Sequence, residues 1–210
     1  MKEKEIQADL ASIRSMMERS SKFISLSGLS GILAGVYALI GAVAANAIIN
    51  SDPYYSYGDI NARAISFFSM GPLALLCAIA LVVLIASVLT AYVLSARKAK
   101  TKGQQIWGKT SKAMLYSMAV PLVSGGLLMI VLLDRGYYGI VAPASLIFYG
   151  LALVAAANFT FNDVKFLGLC EIVLGLIAAC YPGYGLIFWA IGFGVLHIIY
   201  GSVMYLKYDR

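Results

Sequence analysis

GLCEIVLGLIAACYPGYGLIFWAIGFGVLHIIYG, residues 168–201, reads as two apolar helices folded back on each other at Pro182-Gly183. Proline cannot continue a helix, and glycine tolerates the backbone of a tight turn. Extended to its apolar limits, the stretch gives segments at about 166–182 and 185–206. Both approach the roughly 17–25 residues a helix needs to cross hydrocarbon. Glu171 and His197 are the acid and the imidazole of this otherwise oily hairpin.

Working outward, four more apolar segments lie at about 23–49, 66–95, 113–133 and 138–159. Hydrophobic residues are 61% of the 210-residue chain and charged residues 12%, about half the charge of an ordinary soluble domain. A chain this short cannot hide that much apolar surface from water, so the bilayer is its expected solvent. Lipid offers the backbone no hydrogen bonds, so the spans are expected to be helical. The expected fold is an all-α polytopic integral membrane protein with six transmembrane helices arranged as three helical hairpins. Residues 1–22 precede a transmembrane domain over 23–206, and 207–210 form a short tail. Ala45-Asn46-Ala47 has the look of a signal-peptidase site, but the segment before it is too long for a secretory signal, so span 1 is read as retained.

Charge sets the orientation. Lys2, Lys4, Arg14, Arg19 and Lys22 precede span 1, and six more basic residues, Arg97 to Lys112, separate spans 2 and 3. With Lys165, Lys207 and Arg210, these place 14 of the 16 Lys and Arg on one side of a six-span chain. Only Arg63 and Arg135 fall on the other. The excess of basic residues on cytoplasmic loops predicts both termini inside, in a cell inner (plasma) membrane. Tyr137, Tyr138, Tyr181 and Tyr184 fall at the opposite, outer ends as an aromatic belt. The net charge of +6 therefore reads as topology facing anionic lipid headgroups, and no nucleic-acid partner is expected. In residues 1–22, Ile6, Leu10, Ile13 and Met17 form one stripe on a charged helix. Two readings of it stay open: a helix that lies on the inner surface, pairs with a copy of itself or docks a protein partner, and a solvated lead-in helix.

Spans 1 and 5 share the pattern G-L-x-x-I-x-x-G, at Gly28–Gly35 and Gly168–Gly175, with a weaker echo from Ala119 to Gly126 in span 3. Gly28, Gly31, Gly35, Ala38 and Ala42 share one helix face, as do Gly168, Glu171, Gly175, Ala178 and Pro182. His197 shares its face with Gly194 and Gly201. Small faces let membrane helices approach closely, so Gly28, Gly31, Gly35, Gly168, Gly175, Gly194 and Gly201 are the expected packing residues. Pro72, Pro121 and Pro143 are candidate kinks in spans 2 to 4.

Glu171 thus lies on a packing face. Counted from the turn at Gly183, it sits at a depth of about 18 Å and His197 at about 21 Å. An isolated charge at the bilayer centre costs at least about 2.5–3.5 kcal/mol, so His197 is its expected partner. Two readings stay open: a site for a proton or polar ligand, and a hydrogen bond that fixes the hairpin register. Cys77, Cys170 and Cys180 are read as small buried hydrophobes. One histidine and scattered cysteines cannot assemble a zinc site, so no metal or cofactor is expected. Ser95-Ala96-Arg97-Lys98 matches S-x-x-K but ends a helix in a basic stretch, so no enzyme is expected.

The last hairpin resembles the repeat of the HdeD-like (short repeat of unknown function) family of six-span bacterial inner-membrane proteins. The likeness is carried by Gly168, Gly175, Pro182, Gly192 and Gly201. Hairpin 1 has Asp52-Pro53 at its outer turn, whereas hairpin 2 has Gly136 and no proline. The resemblance implies three hairpins and a link to acid-stress tolerance without an established biochemical activity. The expected function is a non-enzymatic, stress-related or scaffold protein acting through self-association or a partner. The alternative is a small transporter or channel whose path passes Glu171 and His197.

Overall fold

The computed structural model describes residues 26–51, 71–101, 103 and 107–209, and every regular element in them is helical. The expected 1–22 helix, the first residues of spans 1 and 2 and the 54–63 loop lie outside the described residues. The helices are α1 (Gly28–Ser51), α2 (Pro72–Thr101), α3 (Lys109–Asp134), α4 (Tyr138–Ala156), α5 (Asp163–Cys180) and α6 (Gly185–Asp209). A 3₁₀ turn, Ala157–Phe159, prolongs α4. Five of the six, all but α5, are long and apolar enough to cross a membrane. The 18 residues of α5 carry Asp163, Lys165 and Glu171, so its apolar part starts only at Phe166.

Turn chemistry explains the ends. After α3, Gly136 takes a left-handed φ of 78°. Its N–H reaches Leu133 O at 3.1 Å, and that of Tyr137 reaches Leu132 O at 2.8 Å. This paired closure satisfies carbonyls that the helix end would leave bare, and it requires glycine at the left-handed position. Gly183, φ 96°, turns the chain between α5 and α6. Pro72 is the first residue of α2 rather than a kink within it, where its missing N–H costs the helix nothing. Pro121 and Pro143 do lie inside α3 and α4.

Packing follows the glycines. α1 lies against both α2 and α6, while α4 lies against α3, α5 and the first turns of α6. A Cβ at Gly201 would meet Ile32 N at 2.5 Å and Gly28 O at 2.9 Å, and one at Gly31 would meet Gly201 Cα at 3.1 Å. A Cβ at Gly28 would collide with the Tyr205 backbone, and one at Gly35 would meet Gly194 O at 2.6 Å. On the other side of the bundle, a Cβ at Gly168 would meet Gly150 O at 2.7 Å and one at Gly175 would meet Pro143 O at 2.9 Å. The pattern shared by spans 1 and 5 therefore marks two backbone-to-backbone helix pairs, α1 on α6 and α5 on α4. The echo in α3 differs, because nothing lies within 4 Å of a Cβ at Gly126. The most apolar window of α2 has no fully buried residue: Val82 and Val88 are exposed, while Val83 faces Gly41 of α1 and Thr90 lies 3.3 Å from the Tyr37 hydroxyl.

Cys170 and Cys180 are exposed and Cys77 is half-buried, which corrects their reading as buried hydrophobes. Cys180 lies on the outward face of α5, opposite Glu171, whereas Cys170 lies on its flank, 3.8 Å from the Tyr200 hydroxyl of α6, and Cys77 belongs to α2. Pro182 also departs from expectation: it lies past the end of α5 and is exposed.

Candidate functional site

α5 turns Val164, Leu167, Gly168, Glu171, Gly175 and Ala178 inward, the 3-and-4 spacing of one helical face. Glu171 is the one acid on that face and is 0% exposed. His197 is buried on α6 and brings Nδ1 to 3.4 Å from Glu171 Oε1. The same nitrogen lies 3.0 Å from the Gly192 carbonyl, five residues earlier. That carbonyl belongs to a π-helical segment, Ala190–Leu196, within α6. Widened turns of this kind free backbone groups from the regular ladder and recur at functional sites.

A third residue completes the cluster. Tyr149 on α4 places its hydroxyl 2.8 Å from His197 Nε2. Its ring packs on Phe193 at 5.0 Å, and Phe193 packs on Trp189 at 5.1 Å. The Glu171 carboxylate packs against bare backbone: a Cβ at Gly192 would lie 2.5 Å from Oε2 and 2.5 Å from Leu146 Cδ2. Neither Glu171 oxygen has a hydrogen-bond partner among the described residues. Three helices thus supply one carboxyl, one imidazole and one phenol to a packed, apolar pocket wall. This is chemistry for holding or passing a proton. Among the described residues no three His, Cys, Asp or Glu side chains come together as a metal site.

The sequence-chosen glycines divide between two jobs. Gly28, Gly31, Gly35, Gly194 and Gly201 set α1 against α6, and Gly168 and Gly175 set α5 against α4. Gly192, chosen only for its likeness to a repeat, makes the room that the carboxyl group occupies. Tyr149 was missed. It stands 11 residues into α4 from Tyr138, about 16 Å deep, so counting levels on span 4 as on spans 5 and 6 would have found it.

A second polar cluster closes the opposite end of the bundle. Asp209 accepts from the Gly28 N–H at 2.8 Å and from the Ser27 hydroxyl at 3.2 Å. The last described side chain thereby caps the positive end of the first helix. Lys98 of α2 pairs with Asp209 and donates to Leu26 O at 2.7 Å, which occupies the S-x-x-K lysine structurally. Nearby, Phe161 stacks on Tyr208 at 3.9 Å, and Tyr208 donates to Asp163 at 2.6 Å. Asp163 precedes the apolar part of α5. Partial burial alone would raise its pKa, but hydrogen bonds from Tyr208 and Lys207 and the Lys207 charge hold it below the ordinary value. No protein-family model, curated protein or solved structure matches this chain.

Proposed function

We propose that the chain is a six-span integral protein of the bacterial inner membrane, with both termini cytoplasmic, that works as a non-enzymatic scaffold. It acts through self-association or a partner held by residues 1–22. The observation that carries this reading is the filled interior. Glycine-on-glycine contacts close α1 on α6 and α5 on α4, and Glu171 and Leu146 are wholly buried where a conduit would run. Outward, α2 and α3 offer exposed apolar faces suited to lipid or to another helix. The resemblance of residues 168–201 to HdeD-like repeats supports three hairpins and a role in acid stress.

Membrane-embedded ionisable residues are functional candidates by default, and one observation favours a second reading. Tyr149, His197 and Glu171 form a continuous chain of titratable groups at 2.8 and 3.4 Å. In that reading the chain carries protons or a coupled solute past this point. Reconstitution of the full chain in proteoliposomes separates the two. The scaffold reading expects no pH-driven flux and an oligomer or complex that is lost when residues 1–22 are removed. Flux abolished by Glu171→Gln would overturn it in favour of transport. Impermeant thiol reagents added outside intact cells test the orientation: cysteines placed in the Tyr137 or Tyr184 turns should react, and cysteines at residue 2 or 210 should not.

A further inference from the structure

We propose that Glu171 is a proton-binding site: the carboxyl group is held as the neutral acid between α4, α5 and α6, and losing that proton loosens the contact of α6 with α5 at Gly192. This rests on the second reading above only in taking a proton as the ligand; it requires no flux.

The hydrogen-bond pattern assigns the protons. A carbonyl only accepts, so the 3.0 Å contact with Gly192 O puts a hydrogen on His197 Nδ1. In the neutral ring Nε2 then accepts, and the Tyr149 hydroxyl donates to it at 2.8 Å. Every polar atom of the Tyr–His pair is satisfied with the imidazole uncharged. A cationic ring would instead donate from Nε2 to the Tyr149 oxygen, and the displaced hydroxyl hydrogen would have no acceptor among the described contacts.

A neutral His197 gives Glu171 no countercharge. The Nδ1 hydrogen is already committed to Gly192, and its approach to Oε1, 3.4 Å, is too long for a good hydrogen bond. Groups facing Glu171 from other elements are Tyr149 on α4 and His197 on α6. On α5 itself, Cys170 points away and lies 3.8 Å from the Tyr200 hydroxyl. An ionised carboxylate would therefore be a buried anion with neither a cation nor a donor, an arrangement proteins avoid. The neutral acid fits, and the closed space admits no larger ligand: the carboxyl oxygen sits where even a methyl group on Gly192 would clash. On deprotonation one H⁺ passes to hydroxide or buffer, and the carboxylate left behind is relieved only by admitting water or moving α6.

The full chain in lipid nanodiscs provides the test. Infrared difference spectra should contain a carboxylic-acid C=O band at neutral pH that is absent in Glu171→Gln. Should that variant fold poorly, a second route remains. The chain has four glutamates, Glu3, Glu5, Glu18 and Glu171. Replacing the first three by aspartate and labelling glutamate with ¹³C leaves Glu171 as the one carboxyl group whose band shifts. A Trp107→Phe chain retains Trp189 as its single tryptophan, stacked toward His197 through Phe193. As pH rises, Trp189 emission should change with the same midpoint as loss of the acid band. A labelled band of carboxylate type at neutral pH overturns the proposal, whatever the flux measurements show. A titrating acid band with unchanged Trp189 emission overturns the coupling to α6. An acid band in a chain without flux sustains the proposal and removes only the transport reading.

Discussion

Replacing Gly201 by alanine should separate the first helix from the last. The added methyl would stand 2.5 Å from Ile32 N, 2.9 Å from Gly28 O and 2.9 Å from Gly31 C. All three are backbone atoms of α1, so no side chain can swing aside. Restoring ordinary contact needs α1 and α6 to part by about 0.9 Å. A radial gap of 0.5–1 Å forfeits a quarter to a half of each contact's well, worth about 0.1–0.2 kcal/mol per atom pair. With a few tens of atom pairs along the Gly28–Gly35 ladder, the loss is about 2–3 kcal/mol, in the range of measured overpacking. Alanine's better helix propensity returns at most about 1 kcal/mol. The net expectation is a loss of about 1–2 kcal/mol, roughly 5- to 30-fold in the unfolding equilibrium. Reversible unfolding in mixed micelles, followed by circular dichroism, measures it. Gly126→Ala is the internal control, because its methyl meets nothing within 4 Å. Equal stability of Gly201→Ala and Gly126→Ala would refute the claim that backbone contact joins α1 to α6.

Other perturbations reach the polar clusters. Tyr149→Phe leaves the buried His197 Nε2 without its donor and should cost about 1–3 kcal/mol; in a His197→Ala background the same change should cost far less, which a double-mutant cycle reads directly. Asp209→Ala removes the cap on α1 and the partner of Lys98, so a loss of about 1.5–3 kcal/mol and faster proteolysis near Ser27 are expected. Because the Asp163 carboxyl titrates below its usual value, its contribution is complete above about pH 4 and disappears as pH falls through the folded value. Wild type should therefore unfold at a higher temperature than Asp163→Asn near neutral pH, with the two curves converging in acid.

Much of this architecture was legible in the residues themselves. The α5–α6 hairpin follows from apolar length and from Pro182-Gly183, and the packing faces from glycine spacing, because close approach in lipid depends on small side chains, whereas which helix each face meets is set by the tertiary fold. The level of Glu171 with His197 followed from counting rise per residue on two antiparallel rods. What the pattern could not supply was anything set by three-way contact. Tyr149 looks like one more apolar aromatic until α4 is placed beside α6. The π-helical segment at Ala190–Leu196 leaves no mark in hydrophobic periodicity, since every residue there is apolar. Asp209 reads as a tail residue, although tertiary packing makes it the cap of a helix that begins 181 residues earlier. The cysteines were misassigned because hydrophobicity alone does not distinguish a residue facing protein from one facing lipid.

The neighbourhood of α1 and α6 carries a consequence for biogenesis. Among the described residues the Gly28–Gly35 ladder of α1 meets its match in α6, roughly 170 residues later, which at about 5–20 residues per second is some 10–30 s of synthesis. Throughout that interval Gly28, Gly31 and Gly35 sit in the nascent chain as an unsatisfied adhesive seam. An insertase, a membrane chaperone or a sister chain emerging from the same polysome has time to engage it before the native partner arrives.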